Sequence, residues 1–470
     1  MQVDFTKMEK AFNPKTIAVV GDSKRTDFEW LRALQTYKGK VFSVQVNPET
    51  IKEIEAMGVP NYTSLVDIPG PIDLVIVSVP RAVAMQVLED CIRKQVGVVH
   101  FYTSGFSETG SEDGRQFERV FVEKAKAANL HVVGPNCRGI FVPGMGIKQH
   151  PIQYSELSGA LGFISQSGNH AILFSQEAYL QGLIINKSVS FGNGIVLDSA
   201  DYLEFFGNDP AIKAIGMYLE GIKDGRRFLK VLKEVSTKKP VVVWKGGRTA
   251  EGGRAIASHT GSLAVSQTIW DAAMQQCGVV GVTSMEELID TLKALLYLPP
   301  VSGDRVAIAG GSGGQSVAIT DVFAEAGLKV PTLTEESYAE LASFFRVVGA
   351  SYRNPIDTGQ ANRDEMGRII GIVERDANID NMVFIITMHI RTPQQLQGNI
   401  DLLVGLRRNS NKPMASVIFY SNGTQMDNAR EVMRQLQEAG IAAFPAMERG
   451  ARALYNALRY YRFKQDRDGN

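Results

Sequence analysis

The sequence predicts an α/β protein built from three doubly wound parallel-sheet domains, and three observations carry that expectation. Short runs rich in Val and Ile alternate with helix-length amphipathic segments, the pattern of parallel strands joined by crossover helices. A length of 470 residues corresponds to about three domains of ordinary size, and 44% apolar residues suffice to give each a core. Breaks at GMGIKQHPIQYSEL and YLPPVSGD divide the chain into units at 1–148, 158–297 and 302–465.

Lys plus Arg and Asp plus Glu are equal at 50 each, so no net field recruits nucleic acid or an anionic membrane, and local pockets must do any anion binding. The longest apolar runs, 74–79 and 382–388, are far too short to span a bilayer, and no signal-like segment precedes Val3. A cytoplasmic protein is expected. Three cysteines and six scattered histidines give neither a disulfide framework nor metal-site spacing, so no metal site is expected in this chain.

In the first unit, strands are expected at 17–20, 41–46, 74–79, 98–103 and 131–133, with helices such as 83–94 and 114–128 between them. Ligands of such sheets lie beyond the carboxyl ends of the strands. Those ends read VVGDSKR, VNPET, SVPR, YTSGFSE and VGPNCRG. They nominate Gly21, Ser23, Lys24, Arg25, Val46, Asn47, Pro48, Ser78, Val79, Pro80, Ser104, Gly105, Asn136 and Cys137 as a rim. Each turn alone is an ordinary βα connection. Five of them on one edge offer a phosphate-bearing ligand backbone N–H groups and two cations.

The second unit opens with a strand at 160–164 and the turn Ser165, Gln166, Ser167, Gly168, where the free N–H groups and dipole of a helix start make an anion cradle. His170 follows two residues later as a pocket-lining candidate. Strands at 184–189 and 214–219 flank a helix at 199–206, and Glu220 ends on the same sheet edge as the SQSG turn. A carboxylate in that position can fix the tautomer of an imidazole and raise its nucleophilicity. The strand at 240–244 leads into the glycine-rich stretch WKGGRTAEGGRAIASHTGSLA, which places His259 on an exposed loop, where reactive groups are carried.

The third unit has strands at 305–309, 382–388 and 415–420. Its first turn, with Gly310, Gly311, Gly313, Gly314 and Gln315, is a second candidate cradle. In NPID, Asn354 and Asp357 are either substrate-side residues or an Asn-Pro turn with a capping Asp.

The segments VNP, SVP, SGFSE, GPNCRGI, YLEGIKDGRRF, ASHTGSLA and the terminal ERGARAL resemble those of NDP-forming acyl-CoA synthetases and the succinyl-CoA synthetase α chain. The resemblance implies a Rossmann-like CoA-binding domain followed by two flavodoxin-like ligase domains. It implies the reaction acyl-CoA + ADP + phosphate ⇌ carboxylic acid + CoA + ATP, through an acyl phosphate and a phosphorylated His259 beside Glu220. Ser165, Gln166, Ser167, Gly168, Gly313, Gly314 and Gln315 would hold phosphate, and Asn136 and Cys137 would wall the thioester end of coenzyme A. ADP or ATP with Mg²⁺ belongs in that family to an ATP-grasp module. None of the three units is one, so a separate β subunit in an α₂β₂ assembly is expected. One departure stands out: GDSKRTDFEW replaces the family's glycine-rich first turn. A CoA- or acyl-CoA-binding regulatory protein, or an acyl or carbamoyl transferase on the same scaffold, are the alternatives.

Overall fold

Apolar β-branched runs too short to form helices pair side by side once helices cover both of their faces. The computed structural model describes residues 3–260, 266–310, 316–345, 353–358, 361–388, 393–420 and 422–468. Its first sheet contains β1 (Thr16–Val20), β2 (Lys40–Val44), β3 (Asn61–Tyr62), β4 (Leu74–Val77), β5 (Val98–Phe101) and β6 (His131–Val133). They are all parallel in the order β3-β2-β1-β4-β5-β6, the Rossmann order. Every residue of β4 and β5 is buried, which explains why β4 reads as a continuous apolar run rather than an alternating one.

The second sheet contains β7 (Gly139–Phe141), β8 (Leu161–Ser165), β9 (Ile185–Ser190), β10 (Ala214–Leu219), β11 (Val241–Lys245) and β12 (Val280–Val282). Its order is β12-β11-β10-β8-β9-β7. Strands β8 to β12 are parallel in the flavodoxin order, and β7 pairs antiparallel to β9 at the edge. The third sheet is parallel in the order β13-β14-β15-β16, from β13 (Val306–Ala309), β14 (Asn381–Thr387), β15 (Met414–Phe419) and β16 (Ala442–Phe444). Strands β3, β7, β12 and β16, of two or three residues each, were not expected from sequence.

Residues 1–179 and 184–283 form one compact unit, and residues 180–183 and 284–470 form a second. In the first, the two six-stranded sheets share a core: the Phe12 ring lies 5.3 Å from that of Phe205 and 5.6 Å from that of Phe206. In the second, the helices Met285–Tyr297 and Met447–Asp468 pack together, joined by Arg449, which donates to both carboxylate oxygens of Asp290 at 2.6 and 3.0 Å. Lys293 is wholly buried beside them, 3.9 Å from Asp290 and 5.0 Å from the Phe444 ring centre.

Candidate active site

Both six-stranded sheets reverse strand order at one point, and in such sheets ligands bind beyond the carboxyl ends at that switch point. In the first sheet the reversal lies between β1 and β4. Gly21 follows β1 with φ +84°, and a Cβ there would meet Val79 Cγ1 at 2.4 Å and the Ser78 carbonyl oxygen at 2.7 Å. Only glycine lets these two turns approach so closely. Ser23, Lys24 and Arg25 continue the β1 turn, and Lys24 pairs at the surface with Glu53 at 2.9 Å. After β2, Val46 is 70% exposed, Asn47 accepts from Glu49 N and Thr50 N as an N-cap, and Pro48 takes the first helical position. Pro80 precedes the helix Arg81–Arg93 beyond β4, and Gly105 N, next to Ser104 beyond β5, donates to Glu108. After β6, the carbonyl oxygens of Gly134 and Pro135 accept from Ile195 N and Asn193 N, locking the GPNC turn onto the FGNG turn of the second sheet. Asn136 adopts φ +56° there. Cys137 is buried beneath it, and burial pushes its thiol up to about 12, so it stays protonated at neutral pH.

The divergent β1 turn is organised by one carboxylate. Asp22 is fully buried and accepts from Ser23 N, Trp30 N and Leu31 N at 3.1, 3.0 and 2.9 Å and from Thr26 Oγ1 at 3.0 Å. Burial lifts its carboxyl above the usual range, against the pull of these four donors. The two amides at the start of the helix Glu29–Ala33, which a phosphate would otherwise take, are therefore already satisfied. The same helix reaches the GPNCRG turn: Glu29 pairs with Arg138 at 2.6 Å and lies 3.3 Å from His150. The Arg138 guanidinium stacks 4.9 Å over Tyr102. Its stem passes across the SQSG turn, so closely that a Cβ on Gly168 would stand 2.9 Å from Arg138 Cγ.

In the second sheet the reversal lies between β8 and β10, and SQSG follows β8 while Glu220 follows β10. Gln166 joins them: its N–H donates to the Tyr218 carbonyl, and its Oε1 accepts from Glu220 N at 2.8 Å and Gly221 N at 3.0 Å. Ser165 Oγ donates to Ser167 O at 2.7 Å, which tightens the turn, and the helix Gly168–Leu180 starts immediately after it. Tyr218 donates its hydroxyl to Glu220 Oε1 at 3.3 Å. His170 lies against Tyr218, ring centres 4.2 Å apart, and edge-on to Trp244 at 4.9 Å. Burial lowers its pKa.

The expected loop around His259 is corrected. Residues Ala250–Thr260 form a helix, and His259 lies in its last turn. Thr249 caps the helix through its hydroxyl to Gly252 N at 3.1 Å and its carbonyl to Gly253 N at 2.8 Å. Three alanines, Glu251 and Arg254 then outweigh the roughly 1 kcal/mol that each of Gly252 and Gly253 costs. The helix packs against the Ser107–Thr109 turn, which follows β5, and so lies at the carboxyl edge of the first sheet. Gly311, Gly313, Gly314 and Gln315 lie outside the described residues. Asn354 is a brace: it accepts from Ile308 N and donates to Val306 O and Pro331 O. Among the described residues no cluster of His, Cys, Asp or Glu is arranged to hold a metal, and no helix is long and apolar enough to cross a membrane.

Residues 15–143 match the CoA binding domain family, and residues 158–295 match the Succinyl-CoA ligase like flavodoxin domain family. The acetate–CoA ligase [ADP-forming] II subunit alpha of Pyrococcus furiosus is 35% identical over 452 residues, covering 94% of this chain and 96% of that protein. The chain belongs to the ADP-forming acyl-CoA ligase α subunits. This ligase subunit is 32% identical, with a TM-score of 0.84 and 97% of both chains covered, to the Ca. Korarchaeum cryptofilum dinucleotide forming acetyl-coenzyme A synthetase 1, solved in complex with phosphate and ADP. It also covers 64% of the acetate–CoA ligase [ADP-forming] I of Archaeoglobus fulgidus, at 33% identity over 457 residues. Membership makes it part of an acid-thiol ligase that uses CoA and a nucleotide.

Four residues of the candidate site were not singled out from sequence. Asp22 and Arg138 stood inside recognised motifs without a role of their own, although a charged residue at a tight βα turn is a signal. Tyr218 and Trp244 read as strand residues, and only the strand order brings both beside His170.

Proposed function

We propose that the chain catalyses the acyl half of the ligase reaction: phosphate, held at the SQSG turn, attacks the thioester carbonyl, the C–S bond breaks, and CoA leaves. The N–H groups that open the helix Gly168–Leu180 are aimed where the carbonyl oxygen becomes negative. His259, with Glu220 as its orienting carboxylate, then attacks the phosphorus of the acyl phosphate and the carboxylate departs. The phosphoryl group passes from His259 to ADP, held with Mg²⁺ by an ATP-grasp β chain that pairs with this one as α₂β₂. The P. furiosus relative's name, subunit alpha, supports a partner, and acetate in the names of relatives supports a small carboxylic acid as product. The GPNC turn and the rim around Gly21 receive coenzyme A, with Lys24 and Arg25 on its phosphates.

The observation that carries this reading is the Gln166 bridge, which fixes the SQSG turn and Glu220 side by side at the switch point of the second sheet. The test is acid-labile labelling. With acetyl-CoA, radiolabelled inorganic phosphate and the chain alone, one phosphoryl group per chain is expected in wild type and none in His259→Ala. Equal labelling of the two would overturn the phosphohistidine; tight CoA binding with no label at all would favour the regulatory reading, for which the occupied amides around Asp22 speak.

A further inference from the structure

His170 has no role in the mechanism above, yet it stands inside the site. It is the third residue of the helix that the SQSG turn opens, and its backbone N–H is turned onto Ser167 Oγ at 3.4 Å. Its ring is clamped by Tyr218 at 4.2 Å and Trp244 at 4.9 Å, and those two rings are themselves 4.7 Å apart. The Tyr218 ring against which the imidazole packs also donates its hydroxyl to Glu220, so one aromatic side chain touches both groups. We propose that His170 is a second histidine of the phosphate site, an uncharged hydrogen-bond donor through Nε2 to the phosphate and to the acyl phosphate formed from it.

Two features fix the state of the ring. Nδ1 is buried and has no hydrogen-bond partner. An orphaned buried N–H is costlier than an orphaned lone pair, so the lone pair sits on Nδ1 and the proton on Nε2. The positive end of the helix and the surrounding apolar rings both disfavour imidazolium, and burial accordingly lowers the pKa. A neutral histidine held at a helix N-terminus is a known way to polarise an oxygen without giving up a proton. His170 forms no covalent bond and keeps its proton throughout; it supplies one donor beyond the backbone amides of the turn. Its aromatic neighbours hold that donor in place.

This inference rests on the proposed half-reaction, and the experiment separates the two. Arsenate replaces phosphate and makes the first step irreversible, because acyl arsenate hydrolyses, so the chain alone releases CoA thiol from acetyl-CoA. Against wild type, His170→Phe, which keeps the ring packing and loses the donor, is expected to lower kcat about 100-fold with KM for acetyl-CoA little changed, and His170→Gln to recover part of the loss. Independently, the ¹⁵N resonances of the His170 ring, assigned by their absence in His170→Phe, should report the Nε2–H form near neutral pH and move on titration with inorganic phosphate. A His170→Phe rate within twofold of wild type, an Nδ1–H form, or resonances unmoved by phosphate would each overturn the role of His170. No arsenate-dependent release by wild type would instead remove the half-reaction, with the phosphate titration still deciding whether His170 meets the anion.

Discussion

A single buried carboxylate organises the turn after the first strand of this chain. With Asp22→Ala, the two buried amides at the helix start lose their acceptor, and the more exposed Ser23 amide and Thr26 hydroxyl lose theirs where water can replace it. We expect a loss of roughly 3 kcal/mol, read as a lower midpoint in urea unfolding, and a smaller loss for Asp22→Asn. His100 makes a second prediction. It is wholly buried, packs edge-on against Trp30 at 5.2 Å and has Nε2 3.0 Å from the Cys137 carbonyl; burial holds its pKa down to about 4. The unfolded chain takes up a proton near 6.5 and the folded one does not, so its share of stability is full above pH 6.5 and is lost as the pH falls towards 4. About 3 kcal/mol should disappear across that window, and His100→Gln should flatten that part of the pH–stability curve whatever it does to the plateau. Residue identities gave most of the candidate site, since Gly21, Ser165, Gln166 and Glu220 all lie at strand ends read from their own motifs. What sequence could not give was partnership. Nothing in GDSKR says that Asp22 reaches Leu31, and nothing in NCRG says that Arg138 crosses Gly168 to meet Glu29.

Elements were more legible where burial is two-sided and long. β1, β4, β10 and β14 appear within a residue or two of their expected limits, because continuous apolar runs bounded by turn residues admit few alternatives. The stretch after β11 was misread because two adjacent glycines weigh against a helix in sequence, whereas a threonine cap and alanines decide it. Helix Met285–Tyr297 carries the opposite lesson, since a lysine inside an apolar face looks like a surface residue. Lys293 is instead sealed in the second unit, its Nζ has no hydrogen-bond partner, and burial lowers its pKa to about 8. The unfolded lysine holds its proton to about 10.5, so this group penalises the folded state at pH 7 and the penalty fades as pH rises from 8 to 10.5. Lys293→Met should therefore stabilise the protein at pH 7 by on the order of 1–3 kcal/mol, with Asp290 still paired to Arg449, and the gain should shrink towards pH 10 in denaturant titrations.

For the whole molecule, the strand orders say more than the strands do. Alternation alone implies doubly wound sheets, but the reversal points that put Gly21 beside Val79 and the SQSG turn beside Glu220 become visible only once pairing is known. The same holds for the shared core of the first two sheets. A fragment of residues 1–283 should melt in one cooperative transition, whereas residues 1–148 alone, stripped of the cover that Phe205 and Phe206 give Phe12, should not; circular dichroism melts of both fragments check this. Strand β7 sets a rule for anyone recombining such proteins. Only five residues separate the last strand of the first sheet from an edge strand of the second, and the turn between them is pinned by amides of the FGNG segment. A crossover placed at the apparent end of the nucleotide-fold cassette would transplant a strand into a foreign sheet. Chimaeras should exchange residues 1–283 as one block, and lineages that shuffled these modules are expected to have moved them the same way.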